Sequence, residues 1–133
     1  MRNLMVVPAA CALALGACAS SGTDDGEDKV AAALAGFEKT GETESCLSLR
    51  RIDQIKPLDD RNFLIRVGRK DYYLNEVSGR CSNADGINTR LQYKTALSQL
   101  CRNELISVVD NSTGMNIGSC GLGNFQKLEK KSS

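Results

Sequence analysis

The 133-residue sequence contains no histidine. That absence excludes the Ser-His-Asp and Cys-His catalytic arrangements and every histidine-bearing metal motif. Tryptophan is also missing, and the aromatic complement is three phenylalanines and three tyrosines. Tyr72, Tyr73 and Tyr93 lie near arginines, the pairing that single-stranded nucleic-acid platforms use, a use that export out of the cytoplasm argues against. Long apolar runs are lacking as well. The longest, Leu4 to Leu15, has 12 residues and includes Pro8, whereas a spanning helix needs roughly 20. The expectation is a mature chain without a transmembrane helix.

That short run has the makings of an export signal. Arg2 precedes it, and Leu15, Gly16, Ala17 and Cys18 follow in the order of a bacterial lipoprotein signal: an aliphatic residue, two small ones, then a cysteine. The chemistry needs a thiol at that place. Its sulfur takes a diacylglycerol, the signal 1–17 is cut away, and the freed amine accepts a further acyl chain such as palmitate. Two or three chains make a stable anchor where one is marginal. The competing reading is an ordinary signal cut after Ala19, because Ala17-Cys18-Ala19 also has the small-x-small form. The complete motif and the polar "ASSGTDDGEDK" after it favour the lipid. Ala19, where aspartate would mark inner-membrane retention, directs a Gram-negative lipoprotein to the outer membrane, facing the periplasm.

Export gives the remaining cysteines their meaning, because disulfides persist outside the reducing cytosol. With Cys11 in the signal and Cys18 on lipid, Cys46, Cys81, Cys101 and Cys120 form an even set without a Cys-x-x-Cys pair. Two disulfides are expected, and neither a metal site nor a bound cofactor. Four cysteines allow three connectivities, which spacing does not decide. The arrangement carried forward joins first strand to last, Cys46 with Cys120, and Cys81 with Cys101.

A net charge of +1 hides an asymmetry: residues 19–45 hold seven acids against two lysines, and residues 46–133 hold fourteen cations against nine acids. The acidic segment 18–45 reads as a lipidated tether. Within it "KVAAALAGFEKTGE" spaces Val30, Leu34 and Phe37 for one short amphipathic helix ending near Gly41. From Cys46 the period changes to two. "CLSLRRI", "NFLIRVG", "RKDYYLNEV", "TRLQYKT", "NELISVVD" and "CGLGNFQKL" read as strands, and "PLDDRN" as a turn. Ala96, Leu97 and Leu100 fit a brief helical turn. The fold class expected for 46–133 is mainly β: a small antiparallel barrel or sandwich of about six strands, stapled by two disulfides and preceded by the short helix.

Candidate chemistry is sparse. Lys94 and Ser98 have the spacing of a Ser/Lys pair, with nothing else to mark them. Asp53, Asp59, Asp60, Asp71, Glu76, Asp85, Glu104 and Asp110 offer carboxylates, mostly at turns and strand ends, where turn formation and solvation account for them. In "GSCGLGNF", Gly118, Gly121 and Gly123 match no phosphate-loop pattern and are assigned positive φ or a bulge beside a disulfide. Arg50, Arg51, Arg66, Arg69, Lys70 and Arg80 are dense enough to form a surface for an anionic ligand, either lipid head groups or cell-wall polymer.

"CLSLRRID", "LDDRNFLIR", "YYLNEVSGRC", "YKTALSQLCRNELISVVD" and "SCGLGNF" together resemble the domain-of-unknown-function family 6491, short exported proteins of Gram-negative bacteria. The likeness runs from about Cys46 to Phe125, with Ser82, Asn83 and Ala84 departing from the pattern after Cys81. It implies a two-disulfide domain and brings no activity with it.

The functional expectation is a lipid-anchored envelope protein with a non-catalytic binding or structural role, held to the membrane through Cys18 and partnered by an envelope protein or an anionic surface, not nucleic acid. A narrower alternative is an inhibitor-type module, built like the small periplasmic β proteins that block lysozymes. An envelope enzyme without histidine is the remote third. Cys18→Ser should abolish incorporation of labelled palmitate and leave an unprocessed or soluble product. Maturation and membrane fractionation unchanged in that variant would contradict the anchor.

Overall fold

A computed structural model describes residues 24–95 and 97–131; the export segment and Cys18 lie outside it. The chain forms α1 (Asp24–Leu34), β1 (Phe37–Glu44), β2 (Cys46–Ser48), β3 (Ile52–Pro57), β4 (Asn62–Val67), β5 (Asp71–Glu76), β6 (Thr89–Tyr93), β7 (Gln99–Cys101), β8 (Leu105–Asp110), β9 (Asn116–Gly121) and β10 (Phe125–Lys130). All strand pairs are antiparallel. They make a five-stranded sheet in the order β1-β10-β5-β4-β3, a three-stranded sheet β6-β8-β9, and the pair β2-β7.

Period-two sequence builds the central strands. In β4, Phe63, Ile65 and Val67 are buried on one face, while Leu64 turns to the other. In β8, Ile106 and Val108 point inward in the same way. One core unites all three sheets: Phe63, Ile65, Tyr73 and Phe125 from the five-stranded sheet meet Ile106, Val108 and Cys120 from the three-stranded sheet and Leu47 and Leu100 from the pair. The second face of the five-stranded sheet has its own cluster. Leu58, Leu74 and Leu128 lie there beneath Val30, Ala33 and Leu34 of α1, with Phe37 and Tyr72 alongside.

Several expectations are corrected. The closed-barrel alternative does not form among the described residues: the five-stranded sheet ends at β1 and β3, and the three-stranded one at β6 and β9. Ten strands, not six, are present there. "CGLGNFQKL" is not one strand but the end of β9, a crossing at Leu122–Asn124, and β10. The predicted helix starts earlier and stops at Leu34. Gly36 follows it, and "FEKTGETE", with its threonines and a second glycine, takes an extended form instead. That segment pairs with β10 along Phe37↔Lys130 to Glu44↔Phe125, with a register shift between Lys39 and Thr43. Residues 24–44 are thus part of the fold, and the domain does not begin at Cys46. The anticipated helical turn at Leu97 to Leu100 is replaced by β7, whose Leu100 is buried while Leu97 is exposed; Ala96 lies outside the described residues.

The disulfides are Cys46–Cys101 and Cys81–Cys120. Cys46 and Cys101 are register partners on β2 and β7, with Cα atoms 4.0 Å apart. The expected pairing failed because it took Cys120 to lie on the last strand. Cys120 belongs to β9, beside the segment that follows β5, while the true last strand carries no cysteine. Closing loops of 55 and 39 residues, each bond contributes at most about 4 kcal/mol on the chain-entropy account.

Among the described residues Asn75 is the buried polar residue of the core, fully inaccessible to solvent. Its Nδ2 donates to the Gly123 carbonyl at 2.8 Å, and its Oδ1 accepts from the Gly123 N–H at 2.8 Å. Asn75→Ala would leave both backbone groups of Gly123 without partners. A loss of about 2–4 kcal/mol is expected in urea unfolding. A change within 0.5 kcal/mol would show that the clasp does not carry this weight.

Candidate functional site

Two surface features are built by the topology. The first is a groove of about 500 Å³ between β3 and β6. These are the terminal strands of different sheets, so each presents an edge whose backbone groups have no neighbour in the ladder. Ile52, Gln54 and Ile55 line one wall, and Arg90, Leu91 and Tyr93 the other, with Asp85 and Gly86 between them. The lining is mixed: apolar side chains from the core's fringe alternate with amide, guanidinium and carboxylate groups. Pro57 closes one end of the β3 wall and leaves that position without a backbone donor.

The second is a basic end. The turn between β2 and β3 carries Arg50 and Arg51, and the turn between β4 and β5 carries Arg69 and Lys70. They are brought to the same end because Ile52 pairs with Val67 and the Gly68 N–H donates to the Arg51 carbonyl at 2.8 Å. Lys130 and Lys131 join them from the end of β10, where the Lys131 N–H donates to the Gly36 carbonyl at 2.8 Å. The Lys130 Nζ stands 5.2 Å from the centre of the Tyr72 ring.

The expected anionic-ligand set is therefore divided. Arg50, Arg51, Arg69 and Lys70 come together. Arg66 lies just behind them on β4, bound to Asp53; that hydrogen bond and the Asp53 charge hold its pKa above the usual arginine value. Arg80 is removed to the opposite end, 3.7 Å from Asp60. Lys130 and Lys131 were missed, and their only signal was a lysine doublet, which means nothing until β10 is placed beside β5.

The carboxylates behave as turn and surface groups. Asp59 Oδ1 accepts from the backbone of Arg61 and Asn62 at 2.8 and 2.7 Å, and Asp110 Oδ1 accepts from Ser112 at 2.7 Å. Asp71 pairs with Arg51 and Glu76 with Lys39, both at 3.5 Å, and Glu104 accepts from the Cys101 N–H at 2.7 Å. Lys94 and Ser98 are exposed, on no shared helix. The glycines of "GSCGLGNF" serve close approach, not positive φ: a Cβ at Gly123 would collide with the Glu76 carbonyl oxygen, and one at Gly118 with that of Ser82. Among the described residues no cluster of three or more potential metal ligands occurs, and no helix is long and apolar enough to cross a membrane.

Residues 1–132 match the family model described as "Family of unknown function (DUF6491)". No curated protein and no solved structure matches the chain.

One phenol is tuned by its setting. Burial first, then the nearby Glu44 carboxylate, pushes the Tyr73 pKa above the ordinary tyrosine value; its hydroxyl lies 3.3 Å from Glu44 Oε1. A folded-state pKa that is raised means the native protein keeps a proton that the unfolded chain gives up. The resulting stabilisation is whole below about pH 10 and is lost as pH climbs through the folded value. Tyr73→Phe should therefore lose less stability than the parent between pH 9 and 11 in parallel urea titrations. Equal slopes would refute the assignment.

Proposed function

We propose that this chain, which belongs to the DUF6491 family of unknown function, is a lipid-anchored envelope protein that acts by binding and not by turnover. The groove between β3 and β6 carries this reading. Two unpaired strand edges facing one cleft offer backbone donors and acceptors to an extended segment, and alternating apolar and polar walls offer it side-chain contacts. The address comes from the sequence at Leu15 to Cys18: export, acylation of Cys18, and an outer-membrane position facing the periplasm if the cell is Gram-negative. The two disulfides are compatible with that compartment.

The carboxylates that an enzyme without histidine would need support the same reading. Asp59 and Asp110 are committed to their own turns, and Asp53, Asp71 and Glu76 to ion pairs on separate parts of the surface. Two carboxylates, Asp53 and Asp85, line the groove, and Asp53 is held there by its ion pair with Arg66.

Photo-crosslinking in intact cells tests the reading directly. A benzophenone side chain at Gln54 or Arg90, inside the groove, should yield a discrete adduct, and the same group at Asn116, outside it, should not. Adducts of equal yield from all three positions, or none from the groove, would contradict a binding role for this cleft.

A further inference from the structure

Six cations meet at one end of the molecule: Arg50, Arg51, Arg69, Lys70, Lys130 and Lys131, all exposed. They come from three separate segments, and three carboxylates stand among them, Glu38, Asp71 and Glu129, of which Asp71 is already paired with Arg51. The excess is positive. The side chains project from two turns and a strand end, and burial does not lock their geometry. A fixed small anion needs donors held in place, whereas exposed lysines and arginines spread over separate turns suit an array of phosphates that can itself rearrange.

We infer that this basic end docks on an anionic bilayer face, with phosphate head groups as its ligands. The inference rests on the lipid anchor at Cys18. From Cys18 to Asp24 the chain can reach about 20 Å at full extension. The helix α1, eleven residues long, measures about 16 Å. Its last turn leads into Gly36, which is hydrogen-bonded to Lys131 at the basic end. The tether is therefore long enough for the basic end to rest on the membrane that holds the lipid. Anchoring also raises the local concentration of the cations at that surface, so weak contacts suffice.

The full acylated protein, reconstituted into vesicles of phosphatidylcholine alone or with phosphatidylglycerol, tests this through lysine acetylation read by mass spectrometry. Lys70, Lys130 and Lys131 should react about tenfold more slowly on the anionic vesicles, with Lys56 and Lys94 unchanged. High salt should remove the protection. Arg50→Gln/Arg51→Gln/Arg69→Gln, which leaves the three lysine probes in place, should weaken it. Equal rates on both vesicle types overturn the docking surface while leaving the anchor intact. Protection by soluble polyglutamate but not by anionic vesicles overturns it in favour of an acidic soluble partner. Failure of the acylated protein to stay with either vesicle defeats the anchor itself, and the docking with it.

Discussion

Between Gly121 and Phe125 the chain leaves the three-stranded sheet and enters the five-stranded one, and the side-chain amide of Asn75 holds that step. Its two hydrogen bonds to Gly123 mimic a strand-to-strand pair where no strand continues. Asn75 makes them from a fully buried position, where an unpaired polar group is costly. The approach they require is so close that only glycine fits beneath the Glu76 carbonyl. Everything near the crossing reinforces it. Cys120 is bonded to Cys81, the Ser78 N–H donates to the Gly121 carbonyl at 2.9 Å, and Leu122 is buried in the core with its N–H donating to the Glu104 carbonyl at 3.0 Å. If the crossing opened, Phe125 and Ile106 would lose the shared core, because the two sheets bury their inner faces against each other and the pair β2-β7.

The five-stranded sheet is apolar on both faces, and this decides the fate of the N-terminal segment. Leu74 and Leu128 would lie open to water if α1 were a loose tether. Burying such side chains is worth about 1.5–3 kcal/mol each, enough to order a short helix that is marginal alone. Phe37 then follows α1 onto the sheet, its ring centre 4.9 Å from that of Tyr72, and β1 takes the edge beside β10. The folding unit grows from an 88-residue body to the span 24–131. At this size every added layer raises the fraction of surface that folding buries.

How much of this was legible follows from the range of the forces involved. Alternation is local, so β4 in "NFLIRVG" and β8 in "NELISVVD" could be read, and the even cysteine count marked two disulfides. Propensity is local too, yet it misled at "GFEKTGE", where a vacant sheet edge outweighed the helical spacing of Phe37. The disulfide pairing, the break inside "CGLGNFQKL" and the burial of Asn75 all depend on which strands become neighbours, and no single segment encodes that. The basic end shows both cases. Arg50, Arg51, Arg69 and Lys70 were visible as a local density, but adding Lys130 and Lys131 and removing Arg80 required the register of β4, β5 and β10.

The groove and the basic end are linked by a single strand. β3 begins next to Arg51, at the basic end, and runs to Pro57, so one mouth of the groove opens beside the cations and the other lies about 20 Å away. A domain resting on its basic end would hold β3 upright, with its wall of the groove running away from the bilayer. An extended segment could then enter from the far mouth without displacing the lipid contact. Asp53 lines the groove and is paired with Arg66 of the neighbouring strand, so the charge at this junction is balanced locally.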